Sequence, residues 1–301
     1  MTLRKKTVRY IVFLSVRFAF FIFGLLPLSA GRKIGSFLGR LASFFAPTEV
    51  NIARENLAKA GFGDRADEII VDMFRHFGIS LFEVVSFRRI AAEIDRHVRI
   101  EGLDNLKKAA DKGKGVIWIT GHIGNFELMA LAIHAKGYET NVIAREMHNE
   151  WLSKMSVDFR KSLGVKTIIR GSFSSGKELL RVFKKGELLG LLIDQDSRHI
   201  PGVFVDFLGE KANTPSGAAE LALRFGVPVI SGFINREKDG THVLRIYPEF
   251  ETVRTGDEAA DVVANTQVYT RKIEEHILSI HPEQWSWFHR RWKSRPGENR
   301  N

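Results

Sequence analysis

The sequence predicts an α/β fold, a mostly parallel central sheet flanked by helices, preceded by an N-terminal helical membrane anchor. Three observations carry the prediction. From Val116 onward, short apolar runs alternate with amphipathic stretches, the signature of strands joined by crossover helices. Within GVIWITGHIGNFELMALAIHAKG (115–137) the pattern passes from a strand through a glycine-bearing turn into a helix, the unit that builds open α/β sheets. Residues 10–28, YIVFLSVRFAFFIFGLLPL, are mostly apolar over about the 20 residues that a spanning helix needs.

The 301 residues, 44% of them hydrophobic, can bury one large α/β core. Without cysteine the chain has no disulfide, thiolate nucleophile or thiolate metal site. Its 45 basic against 35 acidic residues give a net charge of +10, suited to anionic lipid, an acidic carrier protein or nucleic acid. Twenty-three Phe and five Trp, several in the N-terminal segment, favour a greasy partner over nucleic acid, which is not expected.

Taken in order, residues 1–46 form the anchoring segment. Arg4, Lys5, Lys6 and Arg9 precede the apolar run, and Arg17 falls near its middle, where insertion costs about 2.5 kcal/mol or more. The helix either spans, with a cytoplasmic N-terminus, or lies in the interface with Arg17 reaching the head groups. No convincing small-x-small cleavage site immediately follows Leu28, which disfavours a signal peptide. Residues 34–45 make a second aromatic-rich amphipathic piece, broken by Pro47.

Residues 47–301 are expected to form one α/β domain: a helical lead-in (47–110), a core (111–250), then a helix and a basic-aromatic tail (251–301). In the lead-in, 49–60 and 64–88 read as helices. The stripe Phe74, Phe77, Leu81, Phe82 and Val85 packs on the core or, if exposed, faces lipid. Strands are expected at 116–119, 140–144, 166–169, 188–193, 228–234 and 242–247, the first five in a largely parallel sheet. Helices are expected at 126–136, 150–163, 175–184 and 215–225, the last begun by Thr214-Pro215 and ended by Gly226. Asp239-Gly240 reads as a turn, and 257–279 as a late helix before HPEQWSWFHRRWKSRP. The run Val203, Phe204, Val205, Phe207, Leu208 is a small apolar lip, fit to close over an acyl chain or to join the core.

In a parallel sheet, polar residues just past the strand C-termini converge on one edge. Here they are His122, Glu127, Arg145, Asn149, Arg170, Asp194 and Asp196. His122 and Glu127 lie about 140° apart on a regular helix, so His122 belongs to the turn before it. A carboxylate on one ring nitrogen fixes the tautomer and leaves the other nitrogen free to take a proton, a general base with its orienter that needs no metal. The alternative is a helix-capping His with a Glu in an exposed first turn. Arg170 could bind phosphate or stabilise an oxyanion. Asp194 and Asp196 fit acid/base work, Mg²⁺ ligation, a helix cap or a salt bridge to an active-site arginine.

The chain resembles the late acyltransferases of lipid A biosynthesis, the lauroyl/myristoyl transferase family, over nearly its whole length. The likeness rests on the hydrophobic N-terminus, Arg54 with Asn56-Leu57, HIGNFE (122–127), RExxxN (145–149), Arg170, DQD (194–196), VDFLGEKANTPSGAAELALRFGVPVI and the terminal HPEQWSWFHRRWK. Glu127 stands where the wider glycerolipid acyltransferases usually carry Asp in HxxxxD; Glu is familiar at that place in the lipid A branch. The resemblance implies a glycerolipid-acyltransferase-like fold at the cytoplasmic face of the bacterial inner membrane. It also implies fatty acyl transfer from an acyl carrier protein, or coenzyme A, to a hydroxyl of the lipid A precursor. On it, His122 is the base, Glu127 its orienter and Arg170 the partner of the oxyanion or an acceptor phosphate. Arg145, Asn149, Asp194 and Asp196 support the site. No cofactor beyond the acyl donor is implied. Direct transfer is expected rather than an acyl-enzyme, because no cysteine and no nucleophile-elbow serine is present.

Overall fold

The computed structural model describes residues 3–172, 174–197 and 200–297. Residues 1–2 of the expected anchor and 298–301 of the expected tail lie outside the described residues. Helices α1 (Leu3–Gly24), α2 (Leu28–Phe45), α3 (Pro47–Lys59) and α4 (Ala66–Val85) open the chain, followed by short α5 (Phe87–Ala92) and α6 (Ile94–His97). No residue of Arg4–Gly24 is buried, as its composition requires of a helix made for lipid. It runs alongside the rest of the protein. The Asn149 amide donates to the Arg9 carbonyl at 2.8 Å, and Tyr10, Phe20 and Phe23 meet Trp151, Phe159 and Phe82.

A glycine seam locks α2 onto α4. Gly31, Gly35 and Gly39 recur every fourth residue, so all three fall on one face. A Cβ at Gly39 would sit 2.1 Å from the Phe74 carbonyl oxygen, and one at Gly35 would sit 2.6 Å from that of Gly78. Only glycine permits that backbone approach. Away from the seam, α2 leaves Phe37, Leu38, Leu41, Phe44 and Phe45 exposed, and α1 leaves Phe18 and Phe21 exposed. The stripe read on α4 divides: Phe74 is buried, while Phe77 and Leu81 are half exposed.

The core follows as β1 (Val98–Glu101), α7 (Leu103–Ala110), β2 (Val116–Thr120), α8 (Phe126–Ala135), β3 (Thr140–Ala144), α9 (Glu150–Ser162), β4 (Val165–Ile169), α10 (Ser175–Lys184) and β5 (Leu188–Leu192). Then come β6 (Gly202–Phe207), β7 (Glu210–Pro215), α11 (Gly217–Phe225), β8 (Val229–Arg236), β9 (His242–Ile246) and α12 (Glu258–Ser279). The sheet order is β1-β9-β8-β2-β5-β3-β4, with only the β8–β9 pair antiparallel. Strand alternation sorts β2: Ile117 and Ile119 join the cluster beneath α3, α4, α11 and α12, and Val116 and Trp118 the one beneath α7 and α8.

Three sequence expectations change. Residues 98–101, read as part of a lead-in, form edge strand β1 beside β9. The apolar lip is half of an antiparallel hairpin, β6–β7. Thr214-Pro215 ends β7 instead of starting a helix; α11 begins at Gly217, after Ser216. Proline suits that place because the end of a two-stranded edge leaves its missing N–H without consequence.

The tail folds inward. Trp285, Trp287 and Arg291 have at most 1% of their surface exposed. The Arg291 guanidinium donates to the Asn213 carbonyl and the Thr214 hydroxyl, and Asn56 of α3 donates to the carbonyls of Trp287 and His289.

Candidate active site

Register creates the central pair. Neighbouring parallel strands β2 and β5 end in step, Thr120 opposite Leu192, so His122 and Asp194 leave the sheet side by side. His122 Nδ1 lies 2.8 Å from Asp194 Oδ1. The His122 backbone N–H donates to Oδ2 at 2.7 Å, and Trp285 Nε1 to the same oxygen at 2.8 Å. Two glycines make room: a Cβ on Gly121 would meet Asp194 Oδ2 at 3.0 Å, and Gly124 has φ +56 with the Ile234 carbonyl against it.

The Asp194 side chain has no exposed surface. Burial alone would raise its pKa; the charge of His122 and hydrogen bonds from His122 and Trp285 outweigh it and hold the carboxyl well below the usual range. An ionised carboxylate only accepts, so Nδ1 carries the proton and the Nε2 lone pair is left for a substrate. His122 keeps 24% of its side chain exposed.

The orienting bond that the sequence reading gives to Glu127 is thus made by Asp194. Glu127, on the first turn of α8, faces α9 and pairs with Arg160. Nε donates to Oε2 at 2.9 Å and Nη2 to Oε1, a two-pronged contact. The physical reason is strand adjacency: β5 lies against β2 and brings its carboxylate to Nδ1 of the ring, whereas Glu127, already in the first turn of α8, is carried past it to Arg160.

The other predicted residues separate. Arg145 and Arg170 line the same cavity as His122. Asn149 caps α9, accepting from the N–H groups of Trp151 and Leu152 while its amide holds α1. Asp196 accepts from Asn213 and from the Ser294 backbone and hydroxyl, and so fastens the tail. Sequence reasoning missed Arg160, Gln195, Trp285 and His289. Trp285 and His289 sat in a visible run, HPEQWSWFHRRWK, whose inward face no periodicity marks. A buried cluster behind the turn was missed as well: Glu83 of α4 accepts from Arg32, Arg236 and Asn125, and Asn125 caps α8.

Two apolar cavities meet at His122. The first, about 730 Å³, opens where β3 and β5 part. Their pairing stops at Val142–Gly190, although β3 stays on β4 to Ala144 and β5 on β2 to Leu192. Residues of both sheet faces consequently line it, Val142, Gly190 and Leu192 on one and Ile143, Leu191 and Ile193 on the other. The second, about 700 Å³, lies among α1, α4, α9 and the tail and reaches Phe77, Leu81 and Met147, which are exposed. Among the described residues, no group of three or more His, Asp or Glu side chains is placed to hold a metal ion.

His122, held by a buried carboxylate at the sheet edge, thus lines two apolar cavities at once. Comparison with known proteins makes the class definite: this is an acyltransferase acting on a membrane lipid, with a membrane location. The profile of the bacterial lipid A biosynthesis acyltransferases matches residues 2–294, and the chain belongs to that family. It is 27% identical over 269 residues to the lipid A biosynthesis palmitoleoyltransferase of Escherichia coli (strain K12), covering 87% of this chain and 85% of that one. It is 25% identical to the lipid A biosynthesis lauroyltransferase of the same organism, over 90% and 88% of the two chains. The phosphatidylinositol mannoside acyltransferase of Mycobacterium tuberculosis (strain ATCC 25618 / H37Rv) is 26% identical, over 72% and 66%.

Proposed function

We propose that the protein transfers a fatty acyl chain from an acyl carrier protein thioester to a hydroxyl of a lipid A precursor, directly and without an acyl-enzyme. The observation that carries the reading is the meeting of two apolar cavities at His122. The first takes the acyl chain of the donor between β3 and β5. The second, lined in part by the exposed Phe77, Leu81 and Met147, takes the chains of an acceptor that stays in the bilayer.

His122 Nε2 accepts the proton of the acceptor hydroxyl as its oxygen attacks the thioester carbonyl carbon. A C–O bond forms and the carbonyl oxygen becomes an oxyanion. Collapse breaks the C–S bond, and the departing thiolate takes the proton from the imidazolium, whose charge Asp194 stabilises meanwhile. Glu127 holds Arg160 where the cavities join, giving that junction a fixed charge pair. Arg145 and Arg170, on the first cavity, meet the phosphate of the pantetheine arm shared by carrier protein and coenzyme A donors. Asn149 and Asp196 act at a distance, holding α1 and the tail in place.

Residues 1–46 serve as the membrane-anchoring segment and 47–301 as one acyltransferase domain. The contacts of α1 between Arg9 and Phe23 favour a helix lying beside the domain in the membrane surface, with the domain on the cytoplasmic face where acyl thioesters are made. The chain's net charge of +10 suits both anionic lipids and an acidic carrier.

The test offers purified protein a tetra-acylated, Kdo-bearing lipid A precursor and a set of carrier thioesters, with His122→Ala as control. A mass gain of one acyl chain, absent in the variant, is the expected result. No gain with carrier or coenzyme A thioesters overturns the acceptor. The relationship to phosphatidylinositol mannoside acyltransferases then makes another glycolipid the second reading.

A further inference from the structure

We propose that Gln195 is the hydrogen-bond donor to the thioester carbonyl oxygen as it becomes an oxyanion, and that His289 positions Gln195 for that task. The inference rests on the acyl-transfer reading but not on the identity of the acceptor.

Attack on a thioester moves negative charge onto the carbonyl oxygen, and a donor already aimed at that point in a water-poor site is worth about 10²–10³ in kcat. The reacting carbon must lie where donor and acceptor cavities join, because it bonds to an oxygen arriving from the other side. His122, Phe126, Glu127, Arg160 and Gln195 line both cavities. Phe126 has no polar side-chain atom, His122 is the base, and Glu127 is an acceptor whose carboxylate already balances the Arg160 cation through Nε and Nη2. Gln195 carries the neutral donor. It directly follows Asp194, so the strand end that orients the base also delivers an amide beside it. Arg170, which the sequence reading offers for the oxyanion, lines the first cavity and is not among the residues common to both.

The amide is held from behind. Gln195 Nε2 lies 2.6 Å from His289 Nε2, and the ring centroids of His289 and His122 are 5.5 Å apart. The His289 backbone is itself fixed by the Asn56 amide, which donates to its carbonyl at 2.8 Å. Burial first, and then the charge of His122, pushes His289 down to about 4, so the ring is neutral near pH 7. A neutral imidazole accepts from an amide N–H at Nε2, or donates to the amide oxygen if the group is turned. In either arrangement at least one Gln195 N–H remains for the substrate.

The experiment follows thiol release from acyl carrier and acyl-coenzyme A thioesters with a disulfide reagent, which reads cleanly because the chain has no cysteine. It is run with the acceptor lipid and, separately, with water as the acceptor. Gln195→Met, which removes the donor at similar volume, is expected to lower kcat about 10²–10³-fold with the donor KM little changed. His289→Phe is expected to lower kcat about 10–100-fold, the range for residues that orient a reacting group. His289→Gln, which keeps a polar partner for the amide, restores most of it. Melting temperatures and near-ultraviolet circular dichroism should match those of the wild type. A Gln195→Met enzyme with wild-type kcat, or one that loses only KM, overturns the proposal, as does a His289→Gln variant no better than His289→Phe. A wild type that releases no more thiol than His122→Ala in either arm removes the acyl-transfer reading, and this inference falls with it.

Discussion

Replacing Asp194 by Asn tests the proposed His122 base at the side-chain hydrogen bond that orients its ring. The carboxylate accepts from His122 Nδ1, the His122 N–H and Trp285 Nε1, at 2.8, 2.7 and 2.8 Å. An asparagine of the same shape can satisfy the last two with its oxygen, and its NH₂ group then faces Nδ1. That arrangement moves the ring proton to Nε2, where it blocks acceptance of the substrate proton. An aspartate-to-asparagine change that turns a histidine base to the wrong tautomer costs about 10⁴ in kcat, or about 5 kcal/mol. The expected result is a loss of that order with KM for both substrates near wild type, measured by mass-resolved acyl transfer. Folding should survive at neutral pH, since volume and two of the hydrogen bonds are kept. Because burial opposes and His122 and Trp285 outweigh it, the folded Asp194 pKa lies below the unfolded value. Its stabilising contribution is therefore present above about pH 4 and lost as the pH falls further, a limb that Asp194→Asn should lack. An Asp194→Asn enzyme within tenfold of wild-type kcat would refute the assignment and return the orienting role to Glu127.

Three further outcomes are expected. Gly39→Ala puts a methyl group 2.1 Å from the Phe74 carbonyl, so α2 must lift from α4; detergent-solubilised variant should melt lower, by more than the about 1 kcal/mol scale of an ordinary surface change. Gly190→Leu adds side chain to the first cavity at a place where a Cβ itself fits, 3.5 Å from Val142. Preference among thioesters should shift to shorter chains, by about fourfold per excluded methylene, from roughly 0.8 kcal/mol each. His276 is pushed down to about 3, chiefly by burial, while it bonds Asn235 and Tyr247. The unfolded chain then binds the extra proton below about pH 6.5, so stability falls as the pH drops through the window down to about 3, and His276→Gln should flatten that part of a Tm–pH curve.

The alternating strands and crossover helices were legible because each obeys a local period: the runs at 116, 140, 166, 188, 228 and 242 all became strands. His122 was legible because a turn residue between an apolar strand and a helix falls at the sheet edge. Its partner was not. The strand beside β2 comes more than sixty residues later in the chain, after three crossover helices, and nothing in HIGNFE reports that LLID ends alongside it. Glu127 took the role in the sequence reading because it was near in the chain; Arg160, which it meets, lies in a helix with no distinguishing pattern. Strand β1 was missed because four residues of mixed polarity at an edge carry too little alternation. The glycines at 31, 35 and 39 were a readable signal of close helix contact, obscured by the aromatic residues around them.

The tail has a consequence for how the protein is made. Trp285 reaches Asp194 from 91 positions away, Ser286 reaches the His122 carbonyl from 164, and the Trp287 carbonyl meets Asn56 from 231. At a synthesis rate of about 5–20 residues per second, Asp194 leaves the ribosome roughly 5–20 s, and His122 roughly 8–33 s, before the tryptophan that closes over them. For those seconds the apolar floor of both cavities stands open, while the membrane-seeking first helix has long since emerged. A nascent chain that reaches the bilayer early would finish its catalytic centre there, sheltered by the surface from which its acceptor comes.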